Sequence, residues 1–100
     1  MEINSEKLQI LTWRANEQLY GADIHYCYEV QSGKKVIDVP HSRNYVSGIV
    51  NLRGDVVTVI DLFALMGQKV QDYTDKSVII RLKFNDKQIA VKADSISDVV

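Results

Sequence analysis

Asp55 and Asp61 come nearest to a carboxylate pair in this chain. Acid–base work on one bond needs two carboxyl groups within about 5–10 Å of each other. These two flank a five-residue extended stretch, which puts their Cα atoms roughly 20 Å apart. His25 and His41 have no cysteine or carboxylate at the spacing of a metal site, and a lone histidine is more often structural. Ser47-Gly48 lacks the strand–turn–helix setting of a nucleophile elbow. Gly48 and Gly54 do not form a phosphate loop. Cys27 reads as a small half-buried hydrophobe rather than a redox or metal group. No enzyme, no metal and no cofactor is expected. Two charged residues remain. Arg53 stands in a turn, where Gly, Asn or Asp would be usual. It is either a solvated turn residue or a presented cation that fixes a partner. Glu29 interrupts an apolar neighbourhood, as a surface charge or as the counter-ion of a cation such as Arg53.

The elements that position these residues centre on residues 46–67. Two Val/Ile-rich runs, 49–52 and 56–60, suit pleated strands. Arg53-Gly54-Asp55 between them makes a tight turn, so the runs form a β-hairpin. Asp61 ends the second strand and is placed to cap a helical turn. Residues 62–66 form that short turn, and Gly67 stands where a left-handed stop belongs.

The remaining chain reads as further short strands. Residues 8–14 are a strand, 15–18 a turn and 19–24 a returning strand. Residues 24–30 are aromatic and β-prone, with Ile24, Tyr26, Tyr28 and Val30 on one parity. The Tyr26/Tyr28 pair is expected in cross-strand packing. Residues 36–39 make a short strand stopped by Pro40, and 41–44 are a surface connection. Residues 69–76 are a loop. Residues 77–84 alternate, with Val78, Ile80, Leu82 and Phe84 against Ile79, Arg81 and Lys83. Asn85-Asp86 turns the chain into 88–93 as a hairpin. Leu11, Trp13, Ile24, Ile49, Leu52, Val57, Val59, Leu62, Ile80 and Leu82 are the expected core. The class is all-β, as a small barrel or sandwich.

The totals agree. One hundred residues suit one small domain or a piece of a larger one. With 12 Lys+Arg against 13 Asp+Glu, the net charge is −1, which leaves no basic footprint for nucleic acid. No apolar run approaches about 18 residues, so no direct membrane insertion is expected. Residues 1–7 are polar and acidic, unlike a signal peptide. One cysteine cannot form an internal disulfide, which fits a cytoplasmic setting.

Gly48-Ile49-Val50-Asn51-Leu52-Arg53-Gly54-Asp55-Val56-Val57-Thr58-Val59-Ile60-Asp61-Leu62 resembles the signature of the CheW-like domain of bacterial chemotaxis. It departs from that signature at Thr58, where the family has proline. Residues 8–30 resemble the family's opening and 72–100 its later hairpin, so the likeness covers nearly the whole of 1–100 as one domain. The resemblance implies a pair of small SH3-like β-barrels sharing one core. It implies a non-enzymatic adaptor that couples the cytoplasmic tips of chemoreceptors to the histidine kinase CheA in membrane-associated arrays. Glu29, Val30, Arg53 and Gly54, with Val78 and Ile89 more weakly, are the partner-binding residues it suggests. Val30 would lie near an apolar groove that takes a receptor helix, and Arg53 and Glu29 would set partner geometry. The regulatory domain of a CheA-type kinase shares the fold; a start at Met1 with no kinase ahead of it favours the free adaptor. A ligand- or oligonucleotide-binding barrel, which needs a basic groove with exposed aromatics, is the rival of a different class.

The family continues beyond a motif like residues 94–100, so the second barrel is expected to be incomplete here. An open strand edge templates pairing with another chain, and exchange of identical elements is a low-cost way to close it. The chain is therefore expected to self-associate, through residues 77–100. Sedimentation at micromolar concentration checks this: a dimer or larger species is expected, and a single folded monomer would refute it.

Overall fold

The computed structural model describes residues 8–67 and 77–100. The chain runs through β1 (Ile10–Ala15), β2 (Gln18–Asp23), a 3-10 turn (Ile24–Tyr26), β3 (Cys27–Ser32), β4 (Val46–Leu52), β5 (Asp55–Ile60), α1 (Leu62–Leu65), β6 (Val78–Phe84), β7 (Lys87–Ala93) and β8 (Ser95–Val99). The loop expected over 69–76 lies outside the described residues. The strands form a three-stranded sheet in the order β2-β1-β8 and a five-stranded sheet in the order β3-β6-β7-β5-β4. The all-β class holds.

Three hairpins are made by two-residue turns, Asn16-Glu17, Arg53-Gly54 and Asn85-Asp86. All six of these residues have positive φ. That is the turn whose twist matches the strands it joins. Asn, Asp and Gly tolerate it cheaply; Glu17 and Arg53 do not. Asp61 behaves as its position implied: its carboxylate accepts from the Phe63 and Ala64 amides, and Gly67, with φ +83, follows the Met66 cap of α1. The strand expected over 36–39 shrinks to a single bridge between Ile37 and Ile49. Gly48 permits that close approach, since a Cβ there would clash with the Ile37 carbonyl oxygen.

The five-stranded sheet is buried on both sides. Ile80, Val91 and Ala93 face the three-stranded sheet and pack with Leu11, Trp13 and Ala15. On the opposite side, Ile79 and Ala90 pack with Val50, Leu52, Val57 and Val59. Trp13 stacks on Tyr20 at 6.2 Å between ring centroids. The alternation expected along 77–84 therefore fails as a burial signal. Ile79, Ile80 and Arg81 are all buried, because β6 lies inside its sheet between β3 and β7 with a core on each face. Of the expected core, Ile24, Ile49, Leu62 and Leu82 are only half-buried. Each stands at the rim of a core or on an edge strand, where the second covering layer stops.

Residues 77–100 pair within the chain: β6 with β3 and β7, β7 with β5 in parallel, and β8 with β1. Among the described residues, the outer edges of β2 and β8 carry no strand.

Val59 has no exposed surface and sits in the centre of the second core. Val59→Ala is expected to lower unfolding stability by about 1–3 kcal/mol in urea titration. A change below about 0.5 kcal/mol would be incompatible with that burial.

Candidate functional site

A cleft between β3 and the β4–β5 hairpin of the five-stranded sheet is lined by Tyr28, Glu29, Arg53, Asp55 and Arg81. Arg81 is its floor. The side chain is only 2% exposed, and its fork reaches four elements. Nε donates to Gln88 Oε1 at 2.7 Å, on β7. Nη1 donates to Glu29 Oε1 at 2.8 Å, on β3, and more weakly to the Leu52 carbonyl at 3.4 Å, on β4. Nη2 donates to Asp55 Oδ2 at 2.8 Å, at the start of β5. A buried cation without partners would be strongly unfavourable; here two carboxylates and two neutral acceptors replace its water.

A β-bulge brings Glu29 to this cation. The β3–β6 register shifts between Cys27 and Glu29, so that Tyr28 is the extra residue. Tyr28 and Glu29 consequently lie on the side of Arg81, while Val30 turns toward the other face opposite Ile80. The single parity expected for Tyr26, Tyr28 and Val30 is broken there. Tyr28 is 58% exposed, with the Arg81 guanidinium 4.8 Å and the Lys83 ammonium 5.4 Å from its ring centroid. Tyr26 packs edge-on against Phe84 at 5.9 Å, as cross-strand packing implied, yet both tyrosines stay substantially open.

Arg53 is within reach of Glu29. Its Nε lies 2.9 Å from Glu29 Oε2, and 77% of its side chain is exposed. The Arg53 backbone is left-handed, with φ +55. Gly54, beside it, is exposed with open space where a Cβ would stand, and its amide is held by the Asn51 side chain. Glu29 Oε2 also accepts from Gln31 Nε2 at 2.8 Å. The hydrogen bond from Gln31, then that from Arg81, holds the Glu29 carboxyl below the usual carboxylate range. Burial opposes this, and the Arg53 and Arg81 charges add to it. The Arg81 guanidinium is pushed the other way, upward, first by Asp55 and then by Glu29.

The six residues singled out from the sequence do not form one patch. Glu29 and Arg53 line the cleft, and Gly54 stands next to Arg53 at the hairpin tip. Val30, Val78 and Ile89 belong to the opposite face, in register with Ile80, Ala93 and Leu82. Val30 is 44% exposed on the edge strand, while Val78 and Ile89 are half-buried. Arg81 and Asp55 were missed as members of the site. A charged residue inside an Ile/Val-rich strand, Ile79-Ile80-Arg81-Leu82, was the available signal for Arg81. Read as the outward parity of a half-exposed strand, it pointed to solvent. Among the described residues, no group of three or more His, Cys, Asp or Glu side chains could hold a metal ion.

The family model described as "CheW-like domain" matches residues 9–100. The chain is 31% identical over 98 residues to the "Probable chemotaxis protein CheW" of Rhizobium etli, covering 98% of this chain and 63% of that protein. It is 30% identical to the chemotaxis protein CheW of Treponema pallidum, covering all of this chain and 61% of the relative. The crystal structure of a scaffolding protein, TtCheW from Thermoanaerobacter tengcongensis, superposes with a TM-score of 0.82 at 28% identity. It aligns with 93% of this chain and 64% of its own length. The chain thus spans somewhat under two thirds of the length of the proteins it matches.

A carboxyl whose folded-state pKa lies below its unfolded value of about 4.3 contributes fully to stability above that value. The contribution is lost as pH falls through the lower folded value. Glu29→Gln is therefore expected to flatten the acid limb of the stability profile below about pH 4 and to leave the slope near neutrality unchanged. Coincident acid limbs for the two proteins, followed by circular dichroism, would mean that Glu29 is not held as described.

Proposed function

Because the chain belongs to the CheW-like domain family, we propose that it serves as a non-enzymatic chemotaxis adaptor, linking chemoreceptors to the histidine kinase CheA. The relatives' names supply the setting: they are chemotaxis proteins, and the structural neighbour is titled a scaffolding protein. The observation that carries the reading is the Arg53 guanidinium. It sits on a rigid hairpin tip and is largely open to solvent. Among the described residues only its Nε is engaged, with Glu29, which leaves both terminal amino groups for a partner. Exposed arginines with pre-set geometry are favoured interface anchors, because less freedom is lost on binding.

Two partner faces suit an adaptor. The Arg53–Glu29 cleft is the proposed kinase face. The uncovered apolar margin of the opposite face, at Val30 on the edge strand, is the proposed receptor face, taking an amphipathic helix on apolar contacts, with Val78 packed on the core beneath and Ile89 half-buried two strands away. Coupling between the two partners is then a free energy transmitted through one small rigid sheet. No helix among the described residues is long and apolar enough to cross a membrane; the proposed place of action is the cytoplasmic side of receptor arrays.

A pull-down with the regulatory domain of a CheA-type kinase and a receptor cytoplasmic fragment tests the proposal. The native chain should retain both. Arg53→Glu should lose the kinase domain by at least tenfold while its unfolding midpoint stays within a few degrees, since an exposed turn residue carries little stability. Normal kinase binding by the variant would remove Arg53 from the interface.

A further inference from the structure

We infer that Arg81, which does not reach the surface, is the positioning residue of the Arg53 cleft: it fixes Glu29 and Asp55, and through Glu29 it aims the Arg53 guanidinium. The inference rests on the proposed adaptor reading and adds to it a buried residue on which the geometry of the partner face depends.

Arg53 has one side-chain partner among the described residues, the Oε2 oxygen of Glu29. Its direction therefore follows wherever that carboxylate points. Glu29 is held on its other oxygen by Arg81 Nη1. The same guanidinium holds Asp55, which closes the hairpin turn that carries Arg53. Arg81 thus grips the base of the turn and the counter-ion of its tip at once. β3 and the β4–β5 hairpin lie on opposite sides of β6 and β7 in the sheet order, so no ladder joins them directly. A planar fork with donors in fixed directions can do this; a lysine, with one flexible ammonium, cannot meet Glu29, Asp55 and Gln88 together. An apolar residue would fill the position beside Ile79 without the desolvation cost of a buried charge, but it would release Oε1 of Glu29 and leave the carboxylate held on Oε2 alone, by Gln31 and Arg53.

The test uses the full chain and two substitutions, Arg81→Met and Arg81→Lys, each alone and combined with Arg53→Gln. Affinity for a CheA-type regulatory domain is measured well below the unfolding temperature. Either Arg81 variant that remains folded is expected to bind at least tenfold more weakly than the native chain. Adding Arg53→Gln should then cost little more, because the arginine it removes is already misdirected. Native affinity in the Arg81 variants, or a full additional loss on adding Arg53→Gln, would overturn the inference. Arg81→Lys keeps the charge and serves if Arg81→Met does not fold. A separate readout, NMR titration of the Glu29 carboxyl, needs no partner: its midpoint should rise toward the ordinary carboxylate range in Arg81→Lys. An unchanged midpoint also overturns the inference. If the native chain fails to bind the kinase domain, the adaptor reading falls, and the titration alone decides whether Arg81 positions this cleft.

Discussion

The structure depends on one buried cation and the carboxylates that neutralise it. The five-stranded sheet has β3 at one end of its order and β4 at the other. Backbone pairing cannot join them directly. The Arg81 side chain does so instead, taking Glu29 from β3, the Leu52 carbonyl from β4 and Asp55 from β5. Above it, Arg53 repeats the connection at the surface through Glu29. Apolar packing curls the sheet over Val50, Leu52, Val57 and Val59, but packing is non-directional. The charged tie is directional, and it selects one register for the hairpin against β3.

This arrangement separates two tasks. The face with Ile80, Val91 and Ala93 is spent on the core shared with the three-stranded sheet. Its uncovered margin, at Val30, is apolar. The other face ends in charge, with Arg53 77% and Asp55 65% exposed over a buried guanidinium. This surface has little apolar area and closely fixed charge geometry. The left-handed backbone at Arg53 fits the same account. Strain at a non-glycine turn residue persists where the surroundings over-determine it.

Membership of the CheW-like family rests on a match over residues 9–100 and on relatives named for chemotaxis. Arg53 and Glu29 belong to segments that resemble the family's motifs. Arg81 lies in the middle of an apolar strand, and its contacts emerge from the fold alone. The bulge at Tyr28 is what brings the motif residues and Arg81 together. Without that extra residue, Tyr28 and Glu29 could not both lie on the side of Arg81.

Features that depend on neighbours in the chain were legible in the residues themselves. The turn at Gly54 (read one residue too long, since Asp55 already belongs to β5), the Asn85-Asp86 turn, the Asp61 cap, the Gly67 stop and the all-β class are each set by residues a few positions apart. The Arg53–Glu29 pair was legible as an unmatched cation and an unmatched anion. Which faces are covered was settled by the fold. Arg81 meets Asp55 across 26 residues and Glu29 across 52, and no local pattern encodes such distances. Alternation along β6 suggested one wet face, yet a second core and the folded-over hairpin buried it. The same holds for Ile49 and Leu82, apolar residues left half-covered, and for the division of the six candidate residues between two faces. Burial is a property of what lies against a strand, and a strand's own residues do not specify that.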